Sequence, residues 1–77
     1  MTEAEWTEAI TDKLVGKTIK SVSYMSEEIA DDWGLYSRPI TLLLSDGCKL
    51  IIMADDEGND GGSIFTSYKD LETIPTL

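Results

Sequence analysis

The dipeptide Asp46–Gly47, placed between two apolar runs, is the feature of this sequence that most constrains its fold. Residues 40–45 and 48–53 are rich in Ile and Leu, and Asp-Gly between such runs favours a two-residue hairpin turn of type I′. A turn of this length fixes the register of the two strands that it joins. The predicted cross-strand pairs are Ser45 with Cys48, Leu43 with Leu50, Leu42 with Ile51 and Ile40 with Met53.

This register makes both faces of the hairpin apolar. Lys49 then shares a face with Leu42 and Leu44, whereas Cys48 and Leu50 lie on the opposite face. A sheet that is open to water on one side does not need a second apolar face. We therefore expect the second face to be covered, either by the rest of a curled partial barrel or by another subunit.

An amphipathic helix is predicted over residues 3–15. Thr2 and Glu5 have the spacing of a capping box, in which two side chains satisfy the free amide groups at a helix start. Gly16 is well placed to end the helix in a left-handed conformation. Large apolar residues recur every four positions and form one stripe. The stripe comprises Trp6, Ile10 and Leu14.

The next segments are predicted as a strand over 17–25 and a short helix over 27–33. The apolar residues of the strand change parity part of the way along, so one regular strand cannot place them all on one face. A bulge near Lys20–Ser21 would restore a common face. Ser26 is positioned to cap the short helix, and Gly34 is positioned to end it.

The C-terminal part is predicted to add a strand over 63–67 and an apolar tail over 71–77 that packs along a sheet edge. Pro75 would protect that edge from further pairing. The fold class is therefore α+β, with an N-terminal helix packed on a curled antiparallel sheet of three to five strands that forms a partial barrel. The length favours a single domain over 1–77.

Composition excludes several classes of function. The chain has 15 acidic residues, 6 basic residues and no histidine, for a net charge of −9. The missing histidines remove the commonest general base and metal ligand, so we expect no enzyme and no cofactor. Scattered basic residues disfavour direct binding of nucleic acid. Cys48 is the one cysteine, which fits a reducing compartment such as the cytoplasm. The sequence has no run of about 18 apolar residues and no basic, apolar leader over 1–12, so we also expect a protein that does not span a membrane.

The acidic, glycine-rich segment 55–62 is the first candidate site. Its carboxylates are hard oxygen donors of the type that Ca²⁺ and Mg²⁺ prefer. The spacing does not match the calcium-loop template, because a loop begun at Asp56 places Ser67 where a bidentate Glu belongs. A solvated connection, a surface for a partner and a metal site remain as interpretations. The candidate binding residues are Asp55, Asp56, Glu57 and Asp60.

The second candidate site comprises Trp33, Tyr36 and Arg38. These three residue types are enriched among the residues that dominate binding at protein interfaces. They lie between predicted elements, where binding residues are often found. The alternative interpretation is that Trp33 and Tyr36 cover the small core, since each buries a large area.

Several short motifs together resemble a group of small, uncharacterised bacterial proteins. The resemblance covers most of the chain, and its most specific part is the segment 55–62. It implies carriage on mobile elements or gene cassettes, and it implies no known activity, cofactor or catalytic residue. The motifs are Gly16-Lys17-Thr18-Ile19, Val22, Tyr24-Met25, Ser37-Arg38-Pro39, Asp46-Gly47, Asp55-Asp56-Glu57-Gly58-Asn59-Asp60-Gly61-Gly62 and Ile74-Pro75.

The sequence thus predicts a small, non-enzymatic binding or adaptor protein that uses an acidic surface. That surface would join Asp55–Asp60 to Trp33–Arg38 and would favour a basic protein partner. One alternative is a divalent-cation site in the segment 55–62, and a third hypothesis is an acidic mimic of nucleic acid. The two apolar hairpin faces also raise the possibility of a homodimer.

Overall fold

A computed structural model of the chain describes residues 1–53 and 61–77. These residues form two helices and one antiparallel sheet with the strand order β1-β2-β3-β4-β5. The α+β class is confirmed, but the described strands form an open sheet with β1 and β5 at its edges, and the partial barrel is not confirmed. The elements are α1 (Glu3–Leu14), β1 (Ile19–Tyr24), α2 (Glu27–Asp32), β2 (Ile40–Leu44), β3 (Lys49–Ile52), β4 (Ile64–Thr66) and β5 (Thr73–Ile74).

Both helices begin and end where local side-chain chemistry predicts. The Thr2 N–H donates to Glu5 Oε1 at 3.1 Å, and the Glu5 N–H donates to Thr2 Oγ1 at 3.2 Å, which completes the capping box. Ser26 caps α2 with a single bond, in which its hydroxyl oxygen accepts the Ile29 N–H at 3.2 Å. Gly16 and Gly34 follow the two helices with φ of 86° and 73°, a region that side-chain-bearing residues rarely adopt.

The predicted bulge in β1 is confirmed. Ile19 pairs with Leu44 and Ser21 pairs with Leu43, so Lys20 is an extra residue in the ladder. The bulge corrects the parity of the strand and brings its apolar side chains to one face. These side chains belong to Ile19, Val22 and Tyr24.

The type I′ turn predicted at Asp46–Gly47 is wrong. The Leu44 N–H donates to the Cys48 carbonyl oxygen at 2.8 Å, so the connection has three residues, 45–47. The Gly47 N–H donates to the Leu44 carbonyl oxygen at 3.0 Å, and Gly47 has a φ of 89°. Among the described residues, only glycines have a positive φ. A type I′ turn needs a positive φ at Asp46 as well, so this turn type is excluded.

The three-residue connection shifts the predicted register by one residue. Thr41 pairs with Ile51, Leu42 with Leu50 and Leu43 with Lys49. A shift of one residue moves every side chain of β3 to the other face. The observed register gathers the apolar side chains and keeps the charged Lys49 away from them, which avoids the cost of burying its ammonium group. The first face of the hairpin therefore carries Ile40, Leu42, Leu44, Cys48, Leu50 and Ile52, and the second face carries Thr41, Leu43, Lys49 and Ile51.

The core lies on the first face, at the end nearest the hairpin turn. Leu44, Cys48 and Leu50 are buried there, and the C-terminal end of α1 packs on them through Leu14. The C-terminal tail pairs along β4 as β5, as predicted for a segment at a sheet edge. Other half-buried side chains that pack on this cluster are Leu42, Ile64 and Tyr68.

The second face is partly covered by α2, and not by the closure of a barrel. Trp33, at the end of α2, contacts Phe65 of β4 with a distance of 5.8 Å between ring centroids. Phe65 pairs with Ile51, so this contact lies on the second face. A cavity of about 270 Å³ separates Ile29 of α2 from the same face. The short helix therefore shields this side of the sheet without sealing it.

A polar junction joins the hairpin turn, the segment that follows β4, and α1. The Tyr68 hydroxyl donates to Asp46 Oδ2 at 2.6 Å, and the carbonyl oxygen of Lys13 is a second acceptor at 3.1 Å. The Cys48 N–H donates to Asp46 Oδ1 at 3.0 Å. The bonds from Tyr68 and Cys48 hold the pKa of the Asp46 carboxyl below its ordinary value, and the bond to Asp46 raises the pKa of Tyr68. Lys13 also forms an ion pair with Asp70 at 2.9 Å.

Substitutions at Gly47 test the turn. We expect Gly47→Val to lower the free energy of unfolding by about 1–3 kcal/mol, because a β-branched residue is strained at a positive φ. Gly47→Asn is the matched control and should cost less, since Asn tolerates this conformation. Denaturation midpoints measured in urea provide the comparison. Equal midpoints for the two variants would contradict the assigned turn.

A second prediction concerns the pH dependence of the junction. A carboxyl whose pKa is lowered by folding stabilises the protein above its ordinary value, here 3.8, and that contribution is lost as the pH falls further. Asp46→Asn removes the titrating group and keeps an acceptor oxygen. We expect the wild type to be more stable than Asp46→Asn at neutral pH and the difference to shrink below pH 3.8. Urea denaturation of both proteins across this pH range measures it, and a constant difference would refute the assignment.

Candidate functional site

A cleft of about 580 Å³ lies on the first face, at the end of the sheet away from the hairpin turn. The connection between α2 and β2, residues 34–39, forms one wall, and Tyr24 of β1 also lines the cleft. Clefts of this volume accommodate a small ligand or a bulky side chain of a partner. The other described lining residues are Ile40, Ile52 and Met53.

The wall of the cleft is held at both ends by backbone contacts. Arg38 donates from Nε to the Met25 carbonyl oxygen at 2.7 Å, and the Met25 N–H donates to the Pro39 carbonyl oxygen at 2.9 Å. At the other end, the Leu35 N–H donates to the Ala30 carbonyl oxygen at 2.9 Å. Met25, which follows β1, and Ala30 of α2 are both buried, so the wall is attached to inaccessible parts of the chain.

The mouth of the cleft has more exposed aromatic surface than folding requires. Tyr36 is fully exposed, and Tyr24 is more than half exposed. Tyrosine combines a large apolar area with a polar group and little side-chain entropy, a combination typical of binding surfaces. Arg38 is the one charged side chain among the described lining residues. The cleft is thus apolar with a single cationic group at its wall.

The structure brings together two of the three residues in the second candidate site. Tyr36 and Arg38 line the cleft. Trp33 lies on the second face against Phe65, because Gly34 reverses the chain between α2 and the cleft wall. Of the two aromatic residues proposed as covers for the core, Trp33 contacts the sheet and Tyr36 does not, since its side chain is fully exposed.

The first candidate site, with Asp55, Asp56, Glu57 and Asp60, lies outside the described residues. In residues 1–53 and 61–77, no group of three or more carboxylates or thiols is arranged to hold a metal ion. The buried thiol of Cys48 accepts a hydrogen bond from the Ser67 hydroxyl at 3.2 Å. Neither described helix is long and apolar enough to cross a membrane.

Several lining residues were not identified as site residues from the sequence, among them Tyr24, Ile52 and Met53. Tyr24 pairs with Ile40, directly after Pro39, so a correct β1–β2 register would have placed it beside the second candidate site. Ile52 was missed because the predicted hairpin register put it on the opposite face from Ile40. Met53 follows it directly at the end of β3. The missing signal for Tyr24 and Ile52 was strand pairing, not residue type, whereas the predicted register had already paired Met53 with Ile40.

Comparison with family models finds no match to this chain, and comparisons with curated proteins and solved structures also find none.

Removal of the Arg38 side chain tests how the cleft wall is held. We expect Arg38→Met to lower the free energy of unfolding by about 1 kcal/mol, because the Met25 carbonyl oxygen loses a hydrogen bond from a charged donor. Amide hydrogen exchange should show faster exchange at Met25. Lys69→Met is the control, since it removes one exposed positive charge elsewhere. Equal exchange rates at Met25 in the two variants would show that Arg38 does not hold the wall.

Proposed function

We propose that this protein is a small, non-enzymatic binding protein that holds an apolar side chain of a protein partner in the cleft. The observation that carries the proposal is the fully exposed Tyr36 at the mouth of an apolar cavity. Exposed aromatic residues beside an apolar pocket supply most of the binding energy in many interfaces. The apolar floor, formed by Ile40 and Ile52, fits an aliphatic or aromatic side chain.

The negative charge of α2 and of the chain as a whole supports a basic partner. Four carboxylates of α2 are exposed, and α2 leads through Gly34 directly into the cleft wall. The whole chain has a net charge of −9, so a segment rich in Lys or Arg is attracted over the distances that salt leaves unscreened. The partner segment therefore has an apolar residue flanked by basic residues. The four carboxylates belong to Glu27, Glu28, Asp31 and Asp32.

The side-chain chemistry of the cleft supports binding over catalysis. The ionisable groups among its described lining residues are two tyrosine hydroxyls and one guanidinium, from Tyr24, Tyr36 and Arg38. Neither group is a good proton acceptor at neutral pH. Within the same proposal we place the protein in the cytoplasm, because Cys48 is a free thiol and free thiols persist in reducing compartments. Cation binding by the segment 55–62 and mimicry of nucleic acid stay predictions from the sequence.

Selection of peptides displayed on phage tests the proposal, because a random library samples many partner segments at once. We expect the selected peptides to carry an apolar residue between Lys or Arg residues. Their titration should shift the amide resonances of residues 34–40 in NMR spectra. Tyr36→Ala should weaken the binding about tenfold or more, since truncation of an aromatic anchor costs this much at interfaces.

Leu77→Ala is the matched control, because it also removes an exposed apolar side chain. It should leave the peptide affinity unchanged. Versions of the selected peptides in which acidic residues replace the basic flanks separate the contribution of charge from that of the cleft. Resonance shifts confined to other parts of the chain, or equal affinities for wild type and Tyr36→Ala, would overturn the proposal.

A further inference from the structure

The two edges of the sheet differ in how they are protected. β5 has only two residues and is followed by Pro75, which cannot donate a backbone hydrogen bond. β1 has six residues, and all of them are exposed. A long, exposed edge strand presents a row of backbone groups that another strand can pair with. β1 is therefore the edge of this sheet that is open to a further strand.

The phase of the β1–β2 ladder shows which backbone groups of β1 face outward. The Met25 N–H donates to Pro39, its partner position on β2. Inward and outward groups alternate along an antiparallel strand, so Ser23 and Ser21 also bond towards β2. The N–H and C=O groups of Val22 and Tyr24 therefore point away from the sheet. They are the groups available to a sixth strand.

The side chains of β1 are also more apolar than an edge facing water requires. Ile19, Val22 and Tyr24 share the first face and are 55%, 57% and 62% exposed. Pairing with another strand would place further side chains beside them on the same face. Isolated exposed apolar residues are normal on a protein surface, but here three of them form a continuous row along an unpaired edge.

The charge distribution along the sequence points to the identity of the added strand. Residues 13–26 contain three lysines and no carboxylate, within a chain of net charge −9. Lys13 and Lys17 are paired with Asp70 and Asp46 within the chain, whereas β1 itself carries Lys20 and no carboxylate. A second negatively charged copy can therefore approach this edge without facing a carboxylate of the strand. Glu27 and Glu28 follow immediately after this stretch. The segment therefore has a positive end and a negative end, and it is complementary to itself when it is reversed.

We propose that two copies of this chain associate through their β1 strands, which pair antiparallel about a two-fold axis at Val22. At this position the outward N–H of Val22 donates to the C=O of the partner's Val22, and the N–H of the partner's Val22 donates to the C=O of the first. The axis also turns the start of each segment, which carries Lys17 and Lys20, towards the partner's Glu27, because the two strands run in opposite directions. Lys17 lies just before β1 and Glu27 begins α2, so the proposal brings these two ends together outside the strand ladder. The two five-stranded sheets then form one continuous ten-stranded sheet.

The bulge and the lysine at position 20 do not prevent this pairing. Both features protect sheet edges in other proteins. Here they lie before the regular, uncharged stretch that contains Val22 and Tyr24. An axis at Val22 places Lys20 opposite the partner's Tyr24, so the two Lys20 ammonium groups do not face each other. The alternative occupant, an extended acidic segment of another protein, lacks the reciprocal match between Lys17 and Glu27.

Sedimentation equilibrium of the wild type over a concentration series is the first test. We expect reversible association to twice the mass of the chain. Val22→Pro removes an outward N–H and leaves the bonds to β2 intact, so it should raise the dimer dissociation constant about tenfold or more without changing the circular dichroism spectrum. A wild type that stays monomeric, or a dimer that Val22→Pro does not weaken, would overturn the proposal.

A charge exchange tests the axis even if Val22→Pro does not fold. Lys17→Glu and Glu27→Lys each place like charges together in their own homodimers, whereas a mixture of the two chains restores opposite charges at both contacts. Because Lys17 Nζ also lies 3.9 Å from Asp46 Oδ2, the melting temperature of Lys17→Glu is measured first, and Lys20→Glu takes its place if that variant is unfolded. We expect the mixture to associate more strongly than either variant alone. Equal association in all three samples would rule out this axis. Tyr36→Ala should dimerise like the wild type, which separates this proposal from binding in the cleft.

Discussion

The carboxylate of Asp46 holds together parts of the chain that are far apart in sequence. One of its oxygens accepts the Cys48 N–H and stabilises the hairpin turn, while the other accepts the Tyr68 hydroxyl. That hydroxyl also lies within hydrogen-bond distance of the last turn of α1, at the Lys13 carbonyl oxygen. Because the turn determines the strand register, one side chain supports both the apolar face and the attachment of the helix to it. A domain of this size has a small core, so such a junction supplements the stabilisation that apolar burial provides.

Features determined by neighbouring residues could be predicted from the sequence, and the turn type could not. The capping box of Thr2 and Glu5 and the bulge at Lys20 follow from local spacing and parity. An Asp-Gly pair is compatible with a two-residue turn and with a three-residue connection whose last residue is glycine. The choice between them depends on contacts with distant residues, namely the hydroxyl of Tyr68 and the side of the sheet on which Lys49 lies.

The same division applies to the candidate site. Tyr36 and Arg38 were identified because their residue types are frequent at interfaces, whatever the strand register. Trp is also frequent at interfaces, but Trp33 lies on the other face of the sheet, because the chain reverses at Gly34, which has a positive φ, between Trp33 and Tyr36. Ile52 could be assigned to the cleft only with the correct hairpin register. Residue type therefore predicted the exposed wall of the cleft, and long-range pairing determined its floor.

Tyr24 belongs to both proposed surfaces, and the geometry of a β-strand keeps its two roles separate. Its side chain stands roughly perpendicular to the sheet and lines the cleft on the first face. Its backbone N–H and C=O lie in the plane of the sheet and point outward from the edge. A side chain held in the cleft therefore does not occupy the hydrogen bonds of the edge. Pairing about Val22 would in turn place the two clefts on either side of one axis. A partner with two suitable segments would then bind more tightly, because binding of the first segment raises the effective concentration of the second.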